Sequence, residues 1–124
     1  MNQDRSETEK VKAVIESYIE GSRTGNVSLL KDIFHPKAIM SGFLQGQTDI
    51  GTPDPFFEAV EKNPASQQSE KSYIAEITFL EVTGSVASVV LKEKGFLGLN
   101  FTNFFHLLKE EGKWSIISKT FTQE

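Results

Sequence analysis

The sequence predicts one α+β domain over residues 1–124, with helices in the first half of the chain and an antiparallel sheet in the second. The 124 residues suffice for one core and include no cysteine, whereas two smaller domains would need disulfides or metals to be stable. Apolar residues recur with a helical period up to Lys62 and with a period of two from Lys71 onward. Helices followed by long hairpins are typical of helices packed on one face of a curved sheet.

The first helix is predicted from a single apolar stripe. A capping box of Ser6 and Glu9 predicts its start, and the segment from Gly21 to Gly25 predicts its end. The stripe consists of residues spaced by three and four, namely Val11, Val14, Ile15, Tyr18 and Ile19.

The second helix is predicted to be short. Asn26 is its N-cap, and Pro36 requires it to end by His35 because the residue before proline avoids the helical region. A short strand over residues 38–44 and a turn at Gln45-Gly46 are predicted to follow.

The third helix is predicted to begin with Asp54 as N-cap and Pro55 in the first helical position. It ends at Asn63-Pro64, which opens a polar loop over residues 63–70. Its apolar side carries Phe56, Phe57 and Val60.

Strands are predicted over residues 71–82, 85–94, 99–109 and 113–122, which are rich in Ile, Val, Phe and Thr and are separated by glycine-containing turns. We interpret residues 95–99 as a bulge or a flexible edge, since they lack the spacing and the following helix of a phosphate-binding loop.

The faces of the last hairpin follow from its turn. If Glu111-Gly112 is a two-residue turn, Phe105 lies opposite Ser118 and Asn103 lies opposite Thr120. A bulge at the turn would shift this register by one residue and reverse the faces. The side chains predicted to face the helices are Phe101, Asn103, Phe105, Leu107, Trp114, Ile116, Ser118 and Thr120.

Composition limits the functional classes. The chain has 13 basic and 17 acidic residues, a net charge of −4, and no basic run, so we expect neither a nucleic-acid nor a membrane partner. The lack of cysteine excludes thiol catalysis, and two histidines without carboxylates at ligand spacing predict no metal site. A polar N-terminus and the lack of an apolar run of about 20 residues predict a cytoplasmic protein without a signal peptide.

Three motifs resemble a known superfamily. They are Tyr18-x-x-Gly21-x-x-x-Gly25-Asn26, Phe34-His35-Pro36 and Leu107-Leu108-Lys109-x-x-Gly112-Lys113-Trp114-x-Ile116. Over nearly the whole chain they are similar to nuclear transport factor 2-like proteins, and most of all to the putative lumazine-binding, or SnoaL-like, branch. The resemblance implies a strongly bent sheet wrapped around three helices, a central pocket and usually a homodimer. It implies no particular reaction, because this fold hosts enzymes and non-enzymes.

One position departs from that family. Where the family usually has Asp-Tyr, this chain has Asn103-Phe104, and an amide cannot titrate as an aspartate does. We interpret Asn103 either as a hydrogen-bond anchor for a ligand or as an amide satisfied by Thr120, Ser118 or water.

The predicted pocket is mainly apolar and needs no cofactor. His35 is the candidate base or hydrogen-bond donor, and a helix-terminal histidine bonded to nearby carbonyls is the alternative. Tyr18 either sends its hydroxyl into the pocket or is a core residue. Other candidate bases are Asp32, Asp49, Glu58, Glu76 and His106. The residues predicted to bind the ligand are Tyr18, Phe34, His35, Phe57, Asn103, Phe105, Trp114 and Ser118.

Three functions remain open. The first is a domain that binds a small apolar or planar organic molecule. The second is an isomerase, cyclase or dehydratase with a pocket acid–base residue. The third is a homodimeric structural or protein-interaction module. The outer sheet face is the predicted dimer interface, because its apolar side chains exceed what a soluble monomer normally exposes; they are Phe104, His106, Leu108, Ile117 and Phe121.

Overall fold

Three helices and a six-stranded sheet make up the fold. The structure, a computed structural model, describes residues 2–65 and 72–124, with side chains from Ser6 onward. Residues 66–70 of the predicted loop over 63–70 and the predicted strand start at Lys71 lie outside the described residues. The elements are α1 (Asn2–Thr24), α2 (Val27–Ile33), β1 (Phe34–Leu44), β2 (Gln47–Gly51), α3 (Asp54–Lys62), β3 (Ile74–Thr83), β4 (Val86–Phe96), β5 (Leu99–Glu110) and β6 (Lys113–Gln123).

The sheet confirms the α+β class but is mixed rather than wholly antiparallel. Its strand order is β2-β1-β6-β5-β4-β3. β3 to β6 form the predicted antiparallel meander, whereas β1 pairs in parallel with β6, so that Ser41 lies opposite Thr120. β2 was not predicted, and it pairs with β1 through the predicted turn, where Gln45 and Gly46 have φ of 50° and 81°. Local periodicity carries no signal for the pairing of β1 with β6, because these strands are distant in sequence.

Helix α1 has the predicted apolar stripe but not the predicted start. Val11, Ile15 and Tyr18 are fully buried. The helix begins at Asn2, so Ser6 and Glu9 of the predicted capping box lie inside it. The sheet holds the first turns, because Glu7 Oε1 accepts a hydrogen bond of 2.7 Å from Trp114 Nε1–H.

The two shorter helices agree closely with prediction. Asn26 is the N-cap of α2, and its side-chain oxygen accepts a hydrogen bond of 3.1 Å from the Leu29 N–H. In α3 the N-cap is Pro53, one residue earlier than predicted, and Phe56, Phe57 and Val60 are buried. Within the described residues, no helix is both long and apolar enough to cross a membrane.

Two of the bulges in the sheet, in β4 and β6, affect which side chains face the helices near the last hairpin. The first lies in β4 between Glu93 and Phe96, within the glycine-containing stretch where a bulge was predicted. The second lies in β6. The two-residue turn sets the predicted register, with Leu107 opposite Ile116, but His106 then pairs with Ser118. Ile117 is therefore the extra residue of the bulge.

The β6 bulge makes part of the predicted face assignment wrong. Before it, Trp114 and Ile116 are buried as predicted. After it, Ser118 and Thr120 lie on the outer face, whereas Lys119 and Phe121 face inward and are 3% and 7% exposed. The inner face of β5 is unaffected, and its buried residues are Phe101, Asn103, Phe105 and Leu107.

Candidate functional site

Three polar side chains are buried side by side on the inner face of the sheet. Glu93 on β4, Asn103 on β5 and Lys119 on β6 are each at most 3% exposed. Glu93 and Asn103 occupy positions that alternation assigns to the core: on β4, for example, Glu93 follows the buried run Ala87, Val89 and Leu91. The bulge at Ile117 brings Lys119 onto the same face.

These side chains line a cavity of about 140 Å³ between the sheet and α3. An apolar protein cavity of about 150 Å³ holds a molecule the size of benzene, so this one suits a small ligand. The exposed residues Leu44 and Asp49 lie among its walls. The other lining residues are mostly apolar: Met40, Pro55, Phe56, Ala59, Phe96, Leu97, Phe101 and Phe121.

Glu93 is held by two neutral donors. The Tyr73 hydroxyl donates to Oε2 at 2.5 Å and Asn103 Nδ2–H donates to Oε1 at 2.8 Å. Asn103 also donates to the Leu91 carbonyl at 3.2 Å. Burial, and then the negative charge of Glu93, raise the pKa of the Tyr73 hydroxyl, so Tyr73 remains a donor at ordinary pH.

Asn103 thus has protein partners, but not the predicted ones. The amide nitrogen bonds to Glu93 and Leu91 rather than to Thr120 or Ser118, which the β6 bulge places on the other face. Its Oδ1 is buried and makes no hydrogen bond with the described residues.

Lys119 is surrounded by aromatic rings. Its Nζ lies 4.0 Å from the Phe56 ring centroid, 5.1 Å from that of Tyr18 and 5.5 Å from that of Phe121. Among the described residues it makes no hydrogen bond and no ion pair within 4.0 Å. Burial lowers the pKa of Lys119 to about 8, although the charge of Glu93 acts in the opposite direction. Roughly a tenth of the side chains therefore carry a neutral amine at pH 7.

Tyr18 is a core residue whose ring contacts the Lys119 ammonium. Its ring stacks on Phe56 at 5.7 Å and meets Phe105 edge-on at 5.0 Å. Its hydroxyl is buried and makes no hydrogen bond within 3.5 Å with the described residues, although Ser22 and Glu93 are near enough to affect its pKa. Burial, and then Glu93, raise the pKa of Tyr18.

The structure brings few of the residues predicted from sequence to the cavity. Asn103 lines it, whereas Ser118 lies on the outer face. The other predicted ligand-binding side chains lie outside the cavity wall, and four are packed in the core: Phe34, Phe57, Phe105 and Trp114.

His35 is also remote from the cavity. Its Nε2 lies 2.9 Å from Glu110 Oε1, and its Nδ1 accepts a hydrogen bond of 3.0 Å from the Lys37 N–H. It lines a separate shallow depression with Pro36 and Lys113. The structure thus supports neither the pocket base nor the carbonyl-bonded alternative.

Of the other candidate bases, Asp49 reaches the cavity. Asp32 is exposed beside Lys113. Glu58, Glu76 and His106 are exposed and do not line the cavity. Across residues 2–65 and 72–124, no three His, Asp or Glu side chains converge as metal ligands.

Sequence reasoning missed Glu93, Lys119 and Tyr73. The position of Glu93 was predictable, because it continues the alternation of apolar residues that places one face of β4 in the core. Lys119 carried none, because its direction depends on a bulge that the turn does not reveal.

Comparisons with known proteins agree with this fold. The profile of the family described as putative lumazine-binding matches residues 6–122. Aldolase FrzH from a Cladobotryum species is 28% identical over 116 residues, which cover 94% of this chain and 90% of FrzH.

Solved structures of nuclear transport factor 2-like proteins of unknown function are also similar. The one from Silicibacter pomeroyi DSS-3 has a TM-score of 0.85 and 25% identity, with 97% of this chain and 98% of that chain covered. The one from Shewanella baltica OS155 has a TM-score of 0.84 and 24% identity, with 96% and 94% covered. The chain therefore belongs to the putative lumazine-binding family and has the nuclear transport factor 2-like fold.

Proposed function

We propose that the cavity binds a small, mainly apolar organic molecule with a carbonyl group, and that Glu93 removes a proton from the carbon beside that carbonyl. One observation carries the proposal: Glu93 and Lys119 are both buried on a mostly apolar cavity wall, and neither forms an ion pair within 4.0 Å with a described residue. Buried charges that are not paired destabilise a fold, so their presence at a cavity favours a chemical role.

The cavity wall supports the binding half of the proposal. Most of the lining side chains are apolar, and Phe56, Phe96, Phe101 and Phe121 present rings to the space between sheet and helix. Such a wall takes the hydrocarbon part of a ligand, while a few polar groups fix its orientation.

The polar groups support the chemical half. Tyr73 and Asn103 hold the Glu93 carboxylate in place, which suits a general base. A Lys119 ammonium near the carbonyl oxygen would stabilise the negative charge that develops there when the proton leaves. The FrzH relative is named an aldolase, and an aldol reaction begins with removal of such a proton. The same step belongs to the isomerase class considered from sequence.

Hydrogen–deuterium exchange tests the proposal. The protein is incubated with cyclohexanone in D₂O, and exchange beside the carbonyl is followed by NMR. We expect the wild type to accelerate exchange and Glu93→Gln to lose about 100-fold or more of that rate. Glu76→Gln, an exposed glutamate on β3, is the matched control and should retain it.

A cavity-filling variant tests the location. Ala59 lines the cavity from α3, so Ala59→Leu should reduce both cyclohexanone binding and exchange while circular dichroism shows a retained fold. The proposal is wrong if wild-type exchange equals the buffer rate, or if Glu93→Gln and Glu76→Gln exchange equally fast.

A further inference from the structure

We infer that Lys119 forms an imine with the carbonyl carbon of the ligand, so that the reaction proceeds through a covalent intermediate on this chain. The inference rests on the proposed function for its carbonyl ligand, and it adds a nucleophile and a reaction class. It is carried by the position of Lys119, a buried primary amine at the cavity wall that no described side chain engages by a hydrogen bond or an ion pair.

The surroundings of Lys119 favour a nucleophilic amine. An amine attacks a carbonyl only through a free lone pair, and desolvation in an apolar pocket is one way in which proteins make that lone pair available. Rings of Phe56, Tyr18 and Phe121 surround Nζ and make its environment largely apolar. The Glu93 carboxylate oxygens lie more than 4.0 Å from Lys119 Nζ, so they do not hold the amine in an ion pair. Glu93 nevertheless lines the same cavity.

The steps balance without a further reactant beyond water and the carbonyl compounds. The Nζ lone pair forms the C–N bond, the C=O π pair moves to oxygen, and proton transfer from nitrogen to oxygen gives a carbinolamine. The hydroxyl then takes a proton from solvent and leaves as water while the nitrogen lone pair forms the C=N bond, which yields the iminium. Glu93 takes a proton from the adjacent carbon, and the C–H pair becomes the C=C bond of an enamine as the C=N pair returns to nitrogen.

The enamine then serves as a carbon nucleophile. Its nucleophilic carbon forms a C–C bond to the carbonyl carbon of a second molecule, or of a second carbonyl group in the same molecule. The π pair of that C=O moves to its oxygen, which takes the proton held by Glu93 to become a hydroxyl, while the nitrogen lone pair restores the iminium. Water adds to the iminium carbon and releases a proton to solvent, and collapse of this carbinolamine to a C=O group breaks the C–N bond and regenerates the amine. The resulting reaction class is the aldol addition.

The charged groups around Lys119 determine its pH dependence. Glu93 faces Lys119 from β4, and Tyr18 faces it from α1. Asp49 lines the same cavity from β2. Tyr73 donates a hydrogen bond to Glu93 and is linked to Lys119 only by way of that carboxylate. The neighbours from α3 and β5 are uncharged. Since burial lowers the pKa of Lys119 to about 8 from 10.5, its neutral fraction at pH 7 is roughly 300 times that of an exposed lysine.

Reductive trapping tests the inference on the wild-type protein. The protein is incubated with cyclohexanone and sodium cyanoborohydride at pH 7, which converts an imine into a stable cyclohexylamine, and peptide mass spectrometry locates the label. We expect Lys119 to be labelled more than about tenfold faster than Lys12, an exposed lysine of α1. Lys12→Met is the matched control and should leave labelling of Lys119 unchanged.

Two further measurements distinguish a nucleophilic lysine from a merely structural one: the pH dependence of the labelling rate at Lys119, and the effect of a second variant on that dependence. The labelling rate at Lys119 should rise with a midpoint near pH 8 and then level off. Glu93→Gln should move this midpoint to lower pH, because the negative charge of Glu93 raises the pKa of Lys119. The same variant should still form the imine while losing deuterium exchange.

The outcomes separate this inference from the proposed function. Labelling of Lys119 no faster than that of Lys12, with exchange intact, overturns the imine and leaves Glu93 as a base acting on a non-covalently bound ligand. Labelling without exchange supports the imine and overturns the role of Glu93. Loss of both overturns both.

Discussion

At the scale of a single residue, the burial of Lys119 at the candidate site destabilises its charged form. Its side chain is 3% exposed and has no carboxylate within 4.0 Å among the described residues, so its ammonium loses hydration on folding without gaining an ion pair. Contacts with the rings of Phe56 and Tyr18 compensate in part. The lowered pKa corresponds to the destabilisation of the ammonium that remains in the folded state, because each unit of pKa difference between folded and unfolded states equals about 1.4 kcal/mol.

The first prediction concerns Lys119→Met. The pKa of Lys119 is about 8 in the folded state and 10.5 otherwise, so the unfolded chain binds more protons between these values. Wild-type stability due to this residue therefore rises from pH 8 to pH 10.5. We expect Lys119→Met to be more stable than the wild type at pH 7, with that advantage shrinking by about 3 kcal/mol by pH 10.5.

Urea unfolding of both proteins at the two pH values measures this change. Groups that do not interact with Lys119 titrate equally in both proteins and cancel in the comparison. An advantage of the same size at pH 7 and pH 10.5 would contradict the lowered pKa. A gain in stability together with loss of imine trapping would show that the lysine is retained for chemistry at the expense of stability.

Among the elements, the pairing of β1 with β6 shapes the cavity wall. Gly42 of β1 lies opposite Phe121 of β6. A Cβ atom placed on Gly42 would lie 2.1 Å from the Phe121 carbonyl oxygen and 2.7 Å from its ring. Only glycine allows this approach, and the approach holds the Phe121 ring at the cavity. Gly42 is thus a packing requirement of the parallel pairing.

The second prediction compares two glycines of neighbouring strands. We expect Gly42→Ala to lower the free energy of unfolding by about 1–3 kcal/mol, because the strands must separate to admit the methyl group. Gly51→Ala on β2 is the control: its Cβ would meet nothing within 4 Å, so the change should stay within about 0.5 kcal/mol. Thermal and urea unfolding measure both, and equal effects would argue against the close β1–β6 contact.

At the scale of the whole molecule, the outer sheet face carries one apolar row among polar side chains such as Glu76, Glu81 and Lys92. Phe79, Val90 and Phe104 lie side by side across β3, β4 and β5, and Phe79 and Phe104 are about half exposed. The predicted interface residues His106 and Ile117 belong to this face, whereas Phe121 of the original set points into the cavity. An apolar patch of this kind is characteristic of an interaction surface.

The third prediction is a homodimer through this outer face. Two copies related by a two-fold axis would cover the same apolar row on each subunit. In sedimentation experiments we expect the wild type to have the mass of a dimer and Phe104→Lys to have the mass of a monomer. Ile50→Lys, a change at a 72% exposed residue of the edge strand β2, is the control and should remain dimeric. A monomeric wild type, or a dimeric Phe104→Lys, would contradict this interface.

Most elements of the fold were predictable because their signals are local. The stripe of α1, the Asn26 cap and the two-residue turn at Glu111-Gly112 each depend on residues that are neighbours in sequence. The parallel pairing of β1 with β6 was not predictable, because pairing between strands distant in sequence leaves no periodic trace.

The sequence by itself determined the fold class, the inner face of β5 and the position of Asn103 at the cavity. Only the tertiary structure decided that Lys119 joins Asn103 and Glu93 at that wall. One extra residue at Ile117 turns the second half of β6 over, since side chains of a strand alternate with a period of two. A bulge is set by how the strand fits its two neighbours and the helices, and that fit exists only in the folded chain.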